Sequence, residues 1–175
     1  MVEIKGAELE IIYHQITDLW KRFCEEHNNL FDLTLDEYSA LLSSDIDKVD
    51  AIITEKNKVI ANIGQLEELR QELINQINVQ MPAERQIKKI SELIIVMREF
   101  EEKNGQSHLF RFNQLLIDII EKIQLQNKKN QIFINKAIVS LREIRENALG
   151  KKFSTYTPRG QTTTKTKEHF SPVKS

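Results

Sequence analysis

The chain has 175 residues, a formal net charge of -1 and a single cysteine, Cys24. The near-neutral charge argues against generic nucleic-acid binding, which requires a basic surface, and one cysteine excludes an intramolecular disulfide. No apolar run approaches the roughly 18 residues that cross a membrane, and the N-terminus lacks the apolar core of a signal peptide. These features favour a cytoplasmic protein without membrane insertion.

Apolar residues recur every three or four positions along most of the chain, which is the spacing of one helix face. This pattern predicts an all-α fold, an antiparallel bundle of long helices with coiled-coil character. The predicted breaks fall at Pro82, at Asn104-Gly105 and at capping-box spacings such as Thr34 with Glu37. The predicted helices span residues 7–31, 34–43, 45–79, 83–103 and 107–149 of a bundle that occupies residues 1–150.

The last predicted helix is the longest, and at a rise of roughly 1.5 Å per residue it would extend about 60 Å. The helix before it follows after a turn of two or three residues and should lie antiparallel to it, but covers only its first half. The polar residues 124–131 interrupt the apolar stripe, with Gln126 and Asn130 at face positions. Either they are buried and fix the alignment of neighbouring helices, as a buried register device, or they mark the point at which the helices of the bundle separate.

Beyond this polar stretch the apolar residues spread over a wider part of the helix surface. One interpretation is that they pack on the first helix as ordinary core. The other is that they form a face for an amphipathic helix of another protein, or an interface of a homodimer. The candidate binding residues are Ile132, Phe133, Ile134, Ala137, Ile138, Leu141 and Ile144.

After Gly150 the composition changes, since residues 151–175 are rich in Ser, Thr and Lys and carry six basic residues against Glu168 alone. This composition predicts a disordered basic tail. The tail is either a plain solubilising end or a tether whose aromatic residues Phe153 and Tyr156 anchor it on an acidic surface.

No residue cluster typical of catalysis is evident. The 4 histidines lack partners at Glu-x-x-His or His-Glu-x-x-His spacing, and the 5 glycines form no phosphate-binding loop. Acidic pairs such as Glu67-Glu68 and Glu101-Glu102 fall on polar helix faces, where we interpret them as solvated charge. We predict that the protein is not an enzyme and needs no metal or cofactor.

Three stretches carry a family resemblance. The first is residues 38–49 (YSALLSSDIDKV), which are followed by Glu55-Lys56. The second is residues 127–130, which lead into an apolar helix. The third is residues 155–160, which read TYTPRG and follow a Gly-Lys pair. Together they resemble the FlgN family of bacterial flagellar export chaperones.

The resemblance implies a cytoplasmic chaperone for the hook–filament junction proteins. It would bind their C-terminal amphipathic helices, prevent premature assembly and deliver them to the export gate. Residues 132–144 would match the family's substrate-binding segment, and Tyr156 would match the tyrosine that contacts the gate's cytoplasmic domain. The alternative is a structural or adaptor coiled-coil oligomer without a role in export.

Overall fold

The computed structural model describes residues 6–154 and, within them, the side chains of residues 8–150. Long helices fill most of this range and no strand occurs in it, so the all-α prediction is confirmed. The chain divides into two compact units, the first ending at Asn130 and the second beginning at Gln131. The helices are α1 (Gly6–Leu42), α2 (Ile46–Val79), α3 (Ile90–Asn104) and α4 (His108–Ser154).

Helices α1 and α2 form a long antiparallel hairpin closed by a tight turn. Ser44 has a φ of 57°, the left-handed conformation that reverses the chain. Asp45 then caps α2, because its carboxylate accepts a hydrogen bond from the backbone N–H of Lys48 at 3.1 Å. The predicted start of the second long helix at this Ser-Asp sequence is therefore correct.

The prediction of a break between residues 31 and 34 is wrong, because α1 runs without interruption to Leu42. Thr34 does not cap a new helix. Its hydroxyl donates to the carbonyl of Leu30 at 2.7 Å, as a threonine inside a helix does. Glu37, the other half of the expected capping box, instead accepts a hydrogen bond from Lys56 on α2.

The predicted helix 83–103 is also shorter than expected, since only a 3-10 turn forms at Ala83–Arg85 and α3 begins at Ile90. The cause is Asn78 at the end of α2. Its side chain accepts from the backbone N–H of Ile87 at 2.7 Å and donates to the Ile87 carbonyl at 2.9 Å. Both backbone groups are thereby satisfied outside a helix, and the Ile87 side chain enters the core from an extended connection.

Helix α3 ends at Asn104, and the φ of 66° at Gly105 gives the left-handed cap expected from Asn104-Gly105. The chain reverses there, so α3 and α4 are antiparallel neighbours. The buried carboxylate of Glu101 accepts hydrogen bonds from the backbone N–H groups of Leu109 (2.6 Å) and Phe110 (3.2 Å), which begin α4. It also accepts one from the Tyr13 hydroxyl at 2.6 Å.

Glu101 is thus not a solvated charge, as the sequence suggested, but a buried acceptor that joins three helices. Burial raises the pKa of Tyr13 and the Glu101 carboxylate raises it further, so the hydroxyl remains a donor well above neutral pH. Glu102, the next residue, is exposed and pairs with Arg98 at 3.1 Å. The expected solvated role holds for that member of the pair.

The main hydrophobic core of the first unit lies among all four helices. Cys24 lies in a neighbouring cluster with Ile119 and Ile123, where its thiol donates to the Phe112 carbonyl and burial raises its pKa to about 11. This thiol is a buried core group. The buried residues of the main core are Ile12, Tyr13, Ile16, Leu19, Trp20, Phe23, Leu66, Ile74, Ile77, Ile87, Leu93, Met97 and Leu109.

Candidate functional site

The second part of α4 is the most exposed stretch of apolar helix in the described chain. Every residue from 135 to 150 is solvent-exposed, including Ile138 at 50%, Leu141 at 66% and Ile144 at 64%. Ile132 is also exposed, whereas Phe133 and Ile134 are half-buried. Large aliphatic side chains this exposed, and this close together, are a common feature of surfaces that bind other proteins.

The exposed apolar residues form one stripe and a smaller opposite group. Successive helix residues are rotated by about 100° around the axis, so positions can be compared with Leu141 as the reference. Ile132 and Val139 lie about 160–180° away, on the other side of the helix. We name the apolar residues of this segment within about 60° of Leu141 the α4 stripe; they are Ile134, Ala137, Ile138, Leu141, Ile144 and Ala148.

The structure therefore places most of the sequence-predicted binding residues together but separates one of them. Ile134, Ala137, Ile138, Leu141 and Ile144 share the α4 stripe. Phe133 lies at its edge, about 80° from Leu141. Ile132 is too far round the helix to contact a partner at the same time as the centre of the stripe.

Charged residues are distributed unevenly around the stripe. Arg145 and Arg142 lie about 40° and 100° from Leu141 on the same side. Glu143 and Glu146 lie about 160° and 140° away, on the back of the helix. No described residue forms an ion pair with either arginine. The stripe thus has one basic edge.

A buried polar layer precedes this exposed segment, at the end of the first unit. The Gln126 amide donates to the Asn130 side-chain oxygen at 3.0 Å, and Asn130 donates to the Thr34 carbonyl at 3.0 Å and the Glu37 carboxylate at 3.2 Å. Glu37 also pairs with Lys56 at 2.6 Å. Of the two interpretations of residues 124–131, the buried register device matches this geometry, because the polar groups satisfy one another across helices.

A second surface feature, not predicted from the sequence, is a cavity of about 510 Å³ in the first unit. It opens where the N-terminal end of α3 meets the other three helices. Arg70 and Glu67 form an ion pair at its edge. The sequence could not reveal it, because its walls come from residues scattered over four helices: Trp20, Phe23, Ile90, Ile94, Leu116, Ile117 and Ile120 among them.

Chemistry-bearing groups are sparse in the part of the chain that the structure describes. Within residues 6–154, no group of three His, Cys, Asp or Glu side chains is arranged to hold a metal ion. In the same range, none of the helices has the length and apolar character that spanning a bilayer requires. His27 contacts the Phe23 carbonyl of its own helix at 2.7 Å, a local contact within α1.

Two predicted site residues lie where the structure gives no side-chain description. Phe153 belongs to the last turn of α4, but its side chain is outside the described set. Tyr156 and the other residues after Ser154 lie outside the described residues altogether. Their proposed contact with an export gate stays a prediction, as does the disorder of residues 155–175. The predicted end of the last helix at residue 149 and the disorder predicted for residues 151–154 are wrong, because Gly150 does not end the helix and α4 continues to Ser154.

Comparison with known families decides the protein's class. The family described as FlgN protein matches residues 12–164, which is most of the chain. The chain belongs to the FlgN family. Neither the comparison with curated proteins nor that with solved structures returned a match.

Membership of the FlgN family supports a general role as a flagellar export chaperone. The match extends from α1 through the whole of α4, so it includes both the covered and the exposed parts of that helix. The resemblance inferred from residues 38–49, 127–130 and 155–160 is confirmed at the level of the family. What a FlgN chain of this architecture binds, and where, is a separate question.

Proposed function

We propose that this FlgN-family protein binds the C-terminal amphipathic helices of hook–filament junction proteins through the α4 stripe. The observation that carries the proposal is the exposure of Ile138, Leu141 and Ile144 on one side of a continuous helix. A partner helix that buries its own apolar face there removes both surfaces from water, at roughly 25 cal/mol per Å² of apolar area. While bound, the helix of the junction protein could not associate prematurely with other copies of that protein.

Delivery is the second part of the proposal. By resemblance to the FlgN family, Tyr156, together with Phe153, contacts the cytoplasmic domain of the export gate. This work would take place in the cytoplasm, before export. Separating the client-binding stripe from the gate-binding tail allows one chain to hold its client and dock at the same time.

The proposal predicts that one charge placed on the stripe weakens binding at least tenfold. In Leu141→Asp, the partner loses the burial of a leucine side chain, about 1.5–3 kcal/mol, which corresponds to at least tenfold weaker affinity. Isothermal titration of the full chain with synthetic junction-protein C-terminal peptides measures this effect. Circular dichroism checks that the helix content is unchanged, as expected for a side chain already exposed to water.

Val139→Asp is the matched control. Val139 is 52% exposed on the same helix, but lies about 160° from Leu141, so the same charge should leave the affinity within about twofold. Tyr156→Ala should also bind the peptides with normal affinity, but should no longer bind the cytoplasmic domain of the export gate. Equal binding by Leu141→Asp and Val139→Asp would remove the α4 stripe as the client site.

The rival function, an oligomeric structural or adaptor coiled coil, is separated by sedimentation. It requires a concentration-dependent dimer that Leu141→Asp dissociates and that junction-protein peptides do not affect. A monomer that binds the peptides with the stripe-dependent affinity described above supports the chaperone function instead.

A further inference from the structure

We infer that the helix bound by the α4 stripe carries acidic side chains along the edge of its apolar face that meets Arg142 and Arg145. This inference rests on the proposed function and adds the chemistry of the partner. The proposed partner is an amphipathic protein helix with Asp or Glu beside its apolar residues. A helix of the same length and apolar face without these acidic residues would bind less tightly.

The first argument is the position of the two arginines. Arg145 lies within the width of the stripe, about 40° from Leu141, and Arg142 lies about one turn away just beyond the same edge, about 100° from Leu141. A guanidinium at this position reaches over the rim of a helix–helix contact, where it can pair with a carboxylate while its stem covers apolar surface. No ion pair within the described residues already occupies either group.

The second argument is the contrast between the two edges. The edge opposite the arginines carries Ser140 and Asn147, which are uncharged. Both nearby carboxylates, Glu143 and Glu146, lie on the back of the helix, about 140–160° from Leu141. Of the charged residues between 131 and 150, Arg142 and Arg145 are therefore the two nearest the centre of the stripe, and they lie on the same side of it. Charge at an interface rim steers association and selects orientation, so this asymmetry favours a partner with acidic residues on the matching edge.

The third argument concerns a second copy of this chain as the occupant. In a two-fold antiparallel pair, the same edge of each helix faces the other, so Arg142 and Arg145 would meet their own copies. In a parallel pair they would meet the uncharged edge. Neither arrangement supplies a carboxylate, and the antiparallel one brings like charges together. An acidic partner is the occupant that the charges complement.

The test uses two synthetic amphipathic peptides of about 20 residues with identical apolar positions. One carries Glu and the other Lys at every position along the edge of its apolar face. Fluorescence anisotropy measures their affinity for the full chain at about 50 mM salt, where surface charges are least screened. We expect the Glu peptide to bind about tenfold more tightly than the Lys peptide.

Charge reversal provides the decisive variant. Arg142→Glu with Arg145→Glu should reverse the preference, so that the Lys peptide binds more tightly. Lys136→Glu, which changes a basic residue about 140° from Leu141, is the matched control and should keep the preference for the Glu peptide. Both substitutions fall on exposed helix positions, so circular dichroism should report an intact fold.

The outcomes separate the inference from the proposed function. Equal binding of both peptides, unchanged by charge reversal but weakened at least tenfold by Leu141→Asp, overturns the acidic-partner inference and leaves the stripe as a client site. Peptide binding that Leu141→Asp does not weaken overturns both. A preference that reverses with the two arginines and is retained in Lys136→Glu supports the inference.

Discussion

Apolar residues recur at helical spacing in α4 both before and after Asn130. Several of those before Asn130 are buried by other helices, whereas most of those after it are exposed to solvent. Leu109, Ile119 and Ile123 are buried, because α1 and α3 supply the side chains that face them. Ile138, Leu141 and Ile144 carry the same kind of side chain in the same helix and are half or more exposed. Periodicity thus predicts a helix and the direction of its apolar face, while burial depends on whether the chain supplies a facing element.

The polar layer of Gln126 and Asn130 lies at the end of the covered part. Buried amides on a helix face lower the tolerance for alternative alignments, because a shifted helix would leave them without partners. The covered part of α4 is therefore fixed in register by hydrogen bonds as well as by packing. The α4 stripe in the exposed part is made of apolar side chains without such a layer of buried amides, which suits a surface that accepts a partner.

The largest expected effect comes from the buried carboxylate at the start of the covered part. Glu101→Ala leaves the Tyr13 hydroxyl and the first backbone N–H groups of α4 without their acceptor, and should lower the free energy of unfolding by about 3–4 kcal/mol. Urea denaturation measures this loss. Glu102→Ala, which removes only an exposed pair with Arg98, should change it by less than about 0.5 kcal/mol.

The comparison within α4 can be tested with one substitution at two sites. Leu109→Ala opens a cavity in the core and should cost about 3 kcal/mol, whereas Leu141→Ala should cost less than about 0.5 kcal/mol. The two residues are 1% and 66% exposed. The free energy of unfolding is obtained from urea titrations at several protein concentrations. A large loss in Leu141→Ala would contradict its exposure and indicate that another copy covers it in solution.

A smaller effect is expected at the polar layer. Asn130→Ala removes hydrogen bonds to Thr34, Glu37 and Gln126, and should lower the free energy of unfolding by about 1–2 kcal/mol. Asn135→Ala is the control, because Asn135 is exposed and, among the described residues, its side chain only accepts a hydrogen bond from Gln131 of its own helix, at 3.0 Å. A loss in Asn135→Ala as large as in Asn130→Ala would contradict the contrast between the two parts of α4.

The fold could be predicted from the sequence where local chemistry controls it. Helix periodicity, the Asp45 cap and the Gly105 turn all depend on neighbouring residues, and the structure agrees with each. The errors arose where distant contacts override local signals. Thr34 looks like a cap until its position inside a continuous α1 is known, and Ile87 looks helical until Asn78 binds its backbone.

The candidate site shows the same division. The sequence singled out the apolar segment 132–144. It could not show that Ile132 lies on the back of the helix, because that assignment requires knowing that the exposed stripe is centred on Leu141. Glu101 was misinterpreted, because nothing near it in the sequence shows that Tyr13 and the start of α4 face it. The cavity beside α3 depends on four separate helices, so no local pattern could reveal it.

The continuity of α4 across Asn130 has a consequence for how a client would be captured. An isolated peptide with the sequence that follows Asn130 would have to form its first helical turn unaided, and that first turn is costly to nucleate. Here the anchored turns before it provide that nucleus, and elongation needs only one further bond per residue. A client would therefore bind to a segment of α4 that is already helical. The conformational entropy lost on association would come mainly from the client's own chain.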